Sequence, residues 1–465
     1  MTIEEIFQEG RDISEIISDL QYKELDIPRW SELEKEYDPK LHPVMTDKSY
    51  RDMPNDDGTV DKVSRNIFGL QKLAVKRMTE MCFGIPVKRV YKPANDNEVK
   101  AQNLIESIFN KNRIDSVNLK RGRYLFASCE VMTLWYAVEE KNNYYGVDSP
   151  LKVRCRTFSP MNGEHLYPVF DDNGDYIAMS VKYYRKVSGN LITFFETYTK
   201  NHYYKWKLDG KTWVEVANND ITIGKNPTLY MYREEPIWED ESPIVYEMEW
   251  AISRNGNYLR KNSKPVFTIF ADEDIPVGAD NPNGGEKSQD TEFRSILQFP
   301  EGAKAEYVTW EQAIENLKFY TTELKQSFFT QLQLPDLSYE NLKTTPMSGE
   351  AMKQMFVDGN LKVTDESGII LEFLDREINV VKAFAKIIDP SLSSAIDSLK
   401  VQSKITPFSI NSFDDKITTL TTATGGKAVM SQKEAIQELG HSDDADATMA
   451  QIAKEEVEDG INIAE

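Results

Sequence analysis

Residues 242–265 read SPIVYEMEWAISRNGNYLRKNSKP, and residues 309–335 read TWEQAIENLKFYTTELKQSFFTQLQLP. Each is the pattern of an amphipathic helix with its own start and stop signals. In the first, Ser242 suits the N-cap and Pro243 the first helical position, where no amide hydrogen is required. Ile244, Met248, Ala251, Ile252 and Leu259 gather on one side. Asp240 and Glu241 stand at its start, and Arg260, Lys261 and Lys264 at its end, an order that complements the helix dipole. Pro265 closes it, and Asn255-Gly256-Asn257 is its weak spot. In the second, Thr309 and Gln312 form a capping box. Its stripe is Trp310, Ala313, Leu317, Tyr320, Leu324, Phe328 and Leu332, and Pro335 ends it. The intervening 266–308 is β-rich. Two helices that leave and return around a small β-excursion make a stalk with a head. Such a stalk cannot bury both faces alone, so the sequence implies neighbours. It points to a ring-forming structural assembly rather than a self-contained enzyme.

After the stalk comes a polar loop, DLSYENLKTTPMSG (336–349), and then Ser348 caps a long helical stretch that reaches Asp389-Pro390. Its later stripe is Ile370, Phe373, Leu374, Ile378, Val381, Phe384, Ala385 and Ile388. Gly359 and Ser367-Gly368 are its expected kink points. A strand near Ile405–Ile410, a helix ending at Gly425-Gly426, a Ser431–Glu434 capping box and a final helix after Ser442-Asp443 complete the C-terminal part. Residues 431–465 hold ten acidic side chains and two lysines, a net −8.

Upstream of the stalk, residues 150–237 are rich in Tyr, Phe, Trp, Val and Thr in short alternating runs. Asn173-Gly174 and Asp209-Gly210 tolerate positive φ and predict tight hairpins in an antiparallel β-region. Residues 98–139 read as mostly helical. Val63, Ile67, Leu70, Leu73, Ala74, Met78 and Met81 predict a helix over 63–81, stopped by Phe83-Gly84-Ile85-Pro86. Residues 21–60, with Pro28, Pro39, Pro43 and Pro54, read as an extended arm or loop. Ile3, Ile6, Phe7, Ile13, Ile16, Ile17 and Leu20 recur at helical spacing before it.

The chain has 465 residues, too many for one ordinary core. Apolar content of 40% and aromatic content of 11% suit folded domains. The formal charge is −21, which argues against a tight grip on nucleic acid, since phosphate binding needs clustered Lys and Arg. Surrounding DNA without holding it remains compatible. No apolar run approaches the roughly 18 residues that cross a bilayer. The N-terminal MTIEEIFQEGRDISEI is acidic and amphipathic, unlike a secretory signal. Cys82, Cys129 and Cys155, odd in number and widely spaced, suit reduced thiols rather than a disulfide framework.

Several stretches imitate chemical motifs. Residues 278–288 echo a phosphate-binding loop, but the spacing is wrong and Glu286 separates glycine from lysine. Asp171, Asn173 and Asp175 mimic the start of a calcium loop, yet Tyr176 and Lys182 occupy the places of the required Gly and Glu, and a hairpin turn accounts for them better. His42, His165, His202 and His441 are scattered, and no His or Cys pair has metal-ligand spacing. There is no Gly-x-Ser-x-Gly elbow. The Tyr and Trp residues of 183–213 read as strand-face packing rather than a stacking platform for sugars or bases. The sequence offers no catalytic residue, cofactor site or metal site.

The order of features resembles the portal (head-to-tail connector) proteins of tailed bacteriophages, of the siphovirus-like type. The resemblance rests on Asn66 ahead of a helix and the Phe83-Gly84-Ile85-Pro86-Val87 strand entry. It continues through Asp115–Tyr136, with Val131-Met132-Thr133-Leu134-Trp135 as a strand. Leu166-Tyr167-Pro168-Val169-Phe170-Asp171 then leads through an Asn-Gly turn to Val181-Lys182-Tyr183-Tyr184. The stalk, Ser348-Gly349-Glu350-Ala351-Met352-Lys353, and Met430-Ser431-Gln432-Lys433-Glu434-Ala435 before Lys454-Glu455-Glu456 complete it. Collinearity from about residue 60 to 458 carries the match more than any one motif.

The resemblance implies an α+β fold with a portal-like wing of helices and antiparallel strands, a two-helix stem with a β-rich clip insertion, a long kinked helix after a tunnel loop, and a short helical crown. The parts would be an N-terminal helix and extended arm (1–60), wing (61–240), stem helix (241–265), clip (266–308), second stem helix (309–334), tunnel loop (335–349), long wing helix with following strand and helix (350–430), and acidic crown (431–465). It implies a homo-oligomeric ring, usually of twelve, at one capsid vertex, through which double-stranded DNA passes in packaging and ejection. Terminase, which supplies the ATPase, the major capsid and scaffolding proteins and a head-completion adaptor would be partners. No membrane is implied. The site would be the virion, with assembly in the host cytoplasm. Twelve copies at −21 each would carry about −252, a ring without deep wells for phosphate. Lys343, Asn341, Arg254, Arg260, Lys261 and Lys264 are the DNA-channel candidates. Asp336, Ser338, Tyr339, Glu340, Thr344, Thr345 and Ser348 belong to the tunnel loop. For the basic side chains the alternative is plain solvation or pairing with acids of neighbouring subunits. Two other functions stay in view: a different ring-forming virion adaptor, and a metal-dependent hydrolase or nuclease using Asp171, Asp172 and Asp175.

Overall fold

The computed structural model describes residues 3–54, 58, 60–262, 266–270, 304–308, 314–338, 354–408, 413–425, 427–440 and 445–462. It divides into two compact units. The first comprises Met1–Asp38, Gly69–Ser242 and Phe328–Glu465, the second Pro39–Phe68 and Pro243–Ser327.

The first unit begins with α1 (Ile3–Ile6) and α2 (Ile13–Leu20). Their helical apolar spacing has the expected consequence: Ile6, Ile16, Ile17 and Leu20 are buried against Phe195 and Trp206. Phe7 stacks on Tyr204 at 4.3 Å. The stretch expected as an extended arm differs. It holds α3 (Trp30–Tyr37) and, in the second unit, α4 (Pro43–Thr46). Leu33 of α3 is buried, and Tyr37 lies 5.7 Å from the Trp238 ring. The prolines mark the ends of these short helices rather than preventing them, and Pro43 sits in the first turn of α4. A small ladder, β1 (Met53–Pro54) with β2 (Val60–Asp61), follows.

Helix α5 (Leu70–Phe83) starts seven residues later than the Val63 periodicity predicts. After β3 (Lys88–Lys92) come α6 (Asp96–Lys111) and α7 (Ile114–Ser128). The Asn95 carboxamide caps α6, accepting from the Glu98 amide at 3.0 Å. The helical expectation for 98–139 fails at Cys129, whose φ of 61° turns the chain into β4 (Glu130–Asn142). Val131, Thr133 and Trp135 there are β-formers packed into the core, and burial in a sheet outweighs local helical spacing.

The β-region follows with β5 (Ser149–Phe158), β6 (His165–Phe170), β7 (Tyr176–Val187), β8 (Asn190–Tyr198), β9 (His202–Asp209), β10 (Thr212–Asp220) and β11 (Thr228–Tyr232). It makes two sheets. One is a five-stranded antiparallel meander, β6 to β10 in chain order; the other runs β11-β4-β5. Asp209 pairs with Thr212, so Gly210 and Lys211 are the turn, with φ +64° at Gly210. Val187 pairs with Asn190 around Ser188-Gly189, both at positive φ, a hairpin that the sequence reading does not anticipate.

Next come α8 (Ser242–Asn262), the paired strands β12 (Val266–Phe270) and β13 (Lys304–Val308), and α9 (Ile314–Gln331). Residues 271–303, most of the expected clip, and the Thr309–Gln312 capping box lie outside the described residues. The Ser242 hydroxyl donates to Glu36 Oε2 at 2.7 Å. The chain then runs into α10 (Val357–Ile388), α11 (Ser393–Ser398), β14 (Lys400–Lys404), α12 (Phe413–Thr424), α13 (Gln432–Leu439) and α14 (Ala445–Asn462). The strand expected near Ile405–Ile410 is β14, which lies earlier and pairs with β3. Helix α10 runs through both expected kink points without interruption. Gly359 has another use: a Cβ there would stand 2.4 Å from Met81 Cε. The Ser431–Glu434 capping box is formed in full.

One buried hub ties the first unit together. Glu377 of α10, fully buried, accepts from Arg121 Nη2 of α7 at 2.5 Å and Trp135 Nε1 of β4 at 3.0 Å. Arg121 also donates to Thr133 Oγ1 and Asn118 Oδ1, both at 2.9 Å. A buried carboxylate survives only when its charge is matched in this way.

Candidate functional site

In the second unit, residues 60–68 run antiparallel along α8, and side chains of the helix take the arm's backbone. The Ser64 amide donates to Asn257 Oδ1, the Asn66 amide to Ser253 Oγ at 2.8 Å, and the Phe68 amide to Glu249 Oε1 at 2.7 Å. At the far end Arg260 Nη1 donates to the Lys62 carbonyl at 2.9 Å. Two extended residues advance about 6.6 Å and four helical residues about 6 Å. A step of two on the arm therefore matches a step of four on the helix. This explains the late start of α5. The amides of 64, 66 and 68 are already committed, so Val63–Gly69 stays extended despite its apolar spacing.

The clamp has further supports. His42 Nδ1 lies 2.8 Å from Glu249 Oε1, and both side chains are fully buried. The His42 ring meets Tyr246 edge-on at 5.1 Å. Tyr50 donates to the Ser64 carbonyl at 2.8 Å and packs edge-on against Trp250 at 5.0 Å. Gly256, read from sequence as a weak spot, is where the arm presses on the helix, since a Cβ would lie 2.6 Å from Ser64 Oγ. Asp52 Oδ1 accepts from the Val63 amide and from Arg65 Nη1, both at 3.0 Å. The amide first, and then the arginine, hold its carboxyl below the usual carboxylate range.

The candidate channel residues divide accordingly. Arg260 is part of the clamp. Arg254 is exposed, with its guanidinium 5.3 Å from the Trp250 ring centre. The backbone of Lys261 is helical. Lys264, Tyr339, Glu340, Asn341, Lys343, Thr344, Thr345 and Ser348 lie outside the described residues. In the first unit, Asp336 Oδ1 accepts from the Ser338 amide at 3.0 Å, a turn at the entry to the polar loop. The sequence reading missed Glu249, Ser253 and Asn257. Their signal was available: polar residues repeating every four positions along a helix, a stripe with no apolar purpose.

The same unit has an unfilled side. Leu259, Phe319 and Tyr320 are 52%, 67% and 43% exposed, and no residue from Glu315 to Ser327 is buried. Tyr320 donates to Glu247 Oε1 at 3.2 Å, which brings α9 to α8, and Leu317 and Leu324 of its stripe are half-buried.

Chemistry elsewhere is spare. Asp171 Oδ1 accepts from the Asn173 and Asp175 amides at 2.9 and 2.8 Å, closing the β6–β7 turn. Among the described residues, no group of three His, Cys, Asp or Glu side chains could hold a metal ion. The three cysteines are free. Burial pushes the Cys155 thiol up to about 11, Cys129 to about 12 and Cys82 further, so none is a ready nucleophile.

No curated protein matches the chain. Among solved structures it is similar to a chain of the virion of a native gene transfer agent particle, at 11% identity over 91% of this chain and 98% of that one, with a TM-score of 0.39. It is also similar to a chain of the neck of a native particle computed with C12 symmetry, at 10% identity over 89% and 94%, with a TM-score of 0.40. The profile of the phage portal protein family, SPP1 Gp6-like, matches residues 19–460, and the chain belongs to that family.

Proposed function

We propose that this phage portal protein is the subunit of a ring, of twelve copies, set at one capsid vertex and open to double-stranded DNA in packaging and ejection. The family match over residues 19–460 carries the reading. The unfilled side of the second unit supports it, because Leu259, Phe319 and Tyr320 are apolar surface that a neighbouring copy would cover. Portal proteins are structural. The motor would be a separate terminase, and a head-completion adaptor, the major capsid protein and scaffolding protein would be the other partners. Assembly would take place in the host cytoplasm and end in the virion.

Inside the ring, the loop 335–349 would narrow the channel, with Asn341 and Lys343 beside the duplex. Arg254, Arg260, Lys261 and Lys264 would supply the basic side chains of the stem, Arg260 being tied to the Lys62 carbonyl. Sparse cations in an anionic ring suit transit, since every strong phosphate contact must break as DNA advances. The test is deletion of residues 337–347. Rings seen by electron microscopy should persist while packaged or retained DNA falls. Loss of the rings themselves would make the loop structural and overturn its assigned role.

A further inference from the structure

Strands β3 and β14 form a two-stranded ribbon in the first unit. Lys88 lies opposite Lys404, Val90 opposite Gln402, and Lys92 opposite Lys400. Side chains alternate along a strand, so these six share one face. The other face turns inward: Arg89 lies over the Phe109 ring at 3.9 Å, and Ser403 is buried. The four corner lysines are exposed. Among the described residues, none of them has a carboxylate partner. Like charges placed directly opposite destabilise a ladder. Here they do so twice, in a chain whose net charge is −21. Beside the ribbon is a groove of about 380 Å³, lined by Val90, Val363, Leu371, Ile405 and Pro407, with Gln402 and Lys404 at its polar side. A lysine face bordering an apolar groove is the complement of an acidic amphipathic helix.

Duplex DNA fits this surface less well. The charge of the chain repels phosphate at long range, and four lysines release few counterions. The chain itself supplies the better match. Helix α14 reads ADATMAQIAKEEVEDGIN, with Met449 and Ile452 one turn apart and Glu455, Glu456, Glu458 and Asp459 in its later half. Ile452 is exposed. Resting on the ring reading, we propose that α14 of one subunit docks on the lysine ribbon of another. Met449 and Ile452 would enter the groove, and the acidic residues would meet Lys88, Lys92, Lys400 and Lys404.

Full-length protein, titrated by mass photometry, tests this. The K88E/K404E variant should need about tenfold more protein for half-assembly, with an unchanged thermal melt. E455K/E456K should show the same loss from the other surface, and it decides the matter if K88E/K404E does not fold. Combining all four substitutions should restore assembly. Assembly untouched by either pair, or a loss that the combination does not rescue, overturns the inference. So does K88E/K404E protein that assembles normally but retains less duplex DNA, which would make the ribbon a phosphate contact. Wild-type protein that forms no assembly contradicts the ring reading itself, and that result precedes any variant.

Discussion

The two units solve the problem of burial differently. The first closes on itself: its sheets, α10 and the N-terminal helices bury many apolar side chains, and the fully buried Glu377 accepts from Arg121 and Trp135 through Oε1. The second is held by a polar clamp, in which a helix grips an extended arm through side chain to backbone hydrogen bonds, and Leu259, Phe319 and Tyr320 stay exposed. A hydrogen bond adds only about 0.5–1.5 kcal/mol net, so a unit built on a few of them is orderly without being self-sufficient. The apolar side chains it leaves exposed say where neighbours belong.

The contrast can be broken at its strong end. Glu377→Ala leaves Arg121 charged and unmatched in the core, and should cost the first unit about 3–5 kcal/mol in urea unfolding. A loss under about 1 kcal/mol would show that the hub does not hold the unit together. The weaker end is sharpened by Glu249→Ala, which frees the Phe68 amide and removes one partner of His42. It should cost about 1–3 kcal/mol, read as faster hydrogen exchange at 64, 66 and 68 with the β-meander amides unchanged. Uniform acceleration across both units would erase the distinction between them. The smallest effect concerns pH. Asp52 has its folded carboxyl lowered by the Val63 amide and Arg65, so its contribution is present above the ordinary carboxylate range, near 3.9, and is lost as pH falls through the folded value. Exchange at Val63 should therefore quicken only below about pH 4, and Asp52→Asn should remove that dependence. A pH dependence that survives in the variant would assign it to another group.

The sequence was legible where its signals are local. Alternation and the Asn173-Gly174 turn located the first hairpin of the meander, and helical spacing located α8, α9, α10 and the N-terminal helices. It was illegible where a distant partner decides. Val63–Gly69 carries helical spacing but is drawn out straight by residues 181 to 193 positions away. His42 looked like one of several scattered histidines, and its meaning lies in a glutamate 207 positions on. No local period encodes such a pairing. The basic candidates divided for the same reason: Arg254 and Arg260 look alike in sequence, but only Arg260 has an arm carbonyl within reach.

The central claim is that α8 and α9 are finished by copies of the same chain. Electron microscopy of the purified protein across a concentration series tests it most directly. Closed rings of one size, with a central opening wide enough for a DNA duplex, are expected. A monodisperse monomer at the highest concentration, with no ring at any salt, would contradict it.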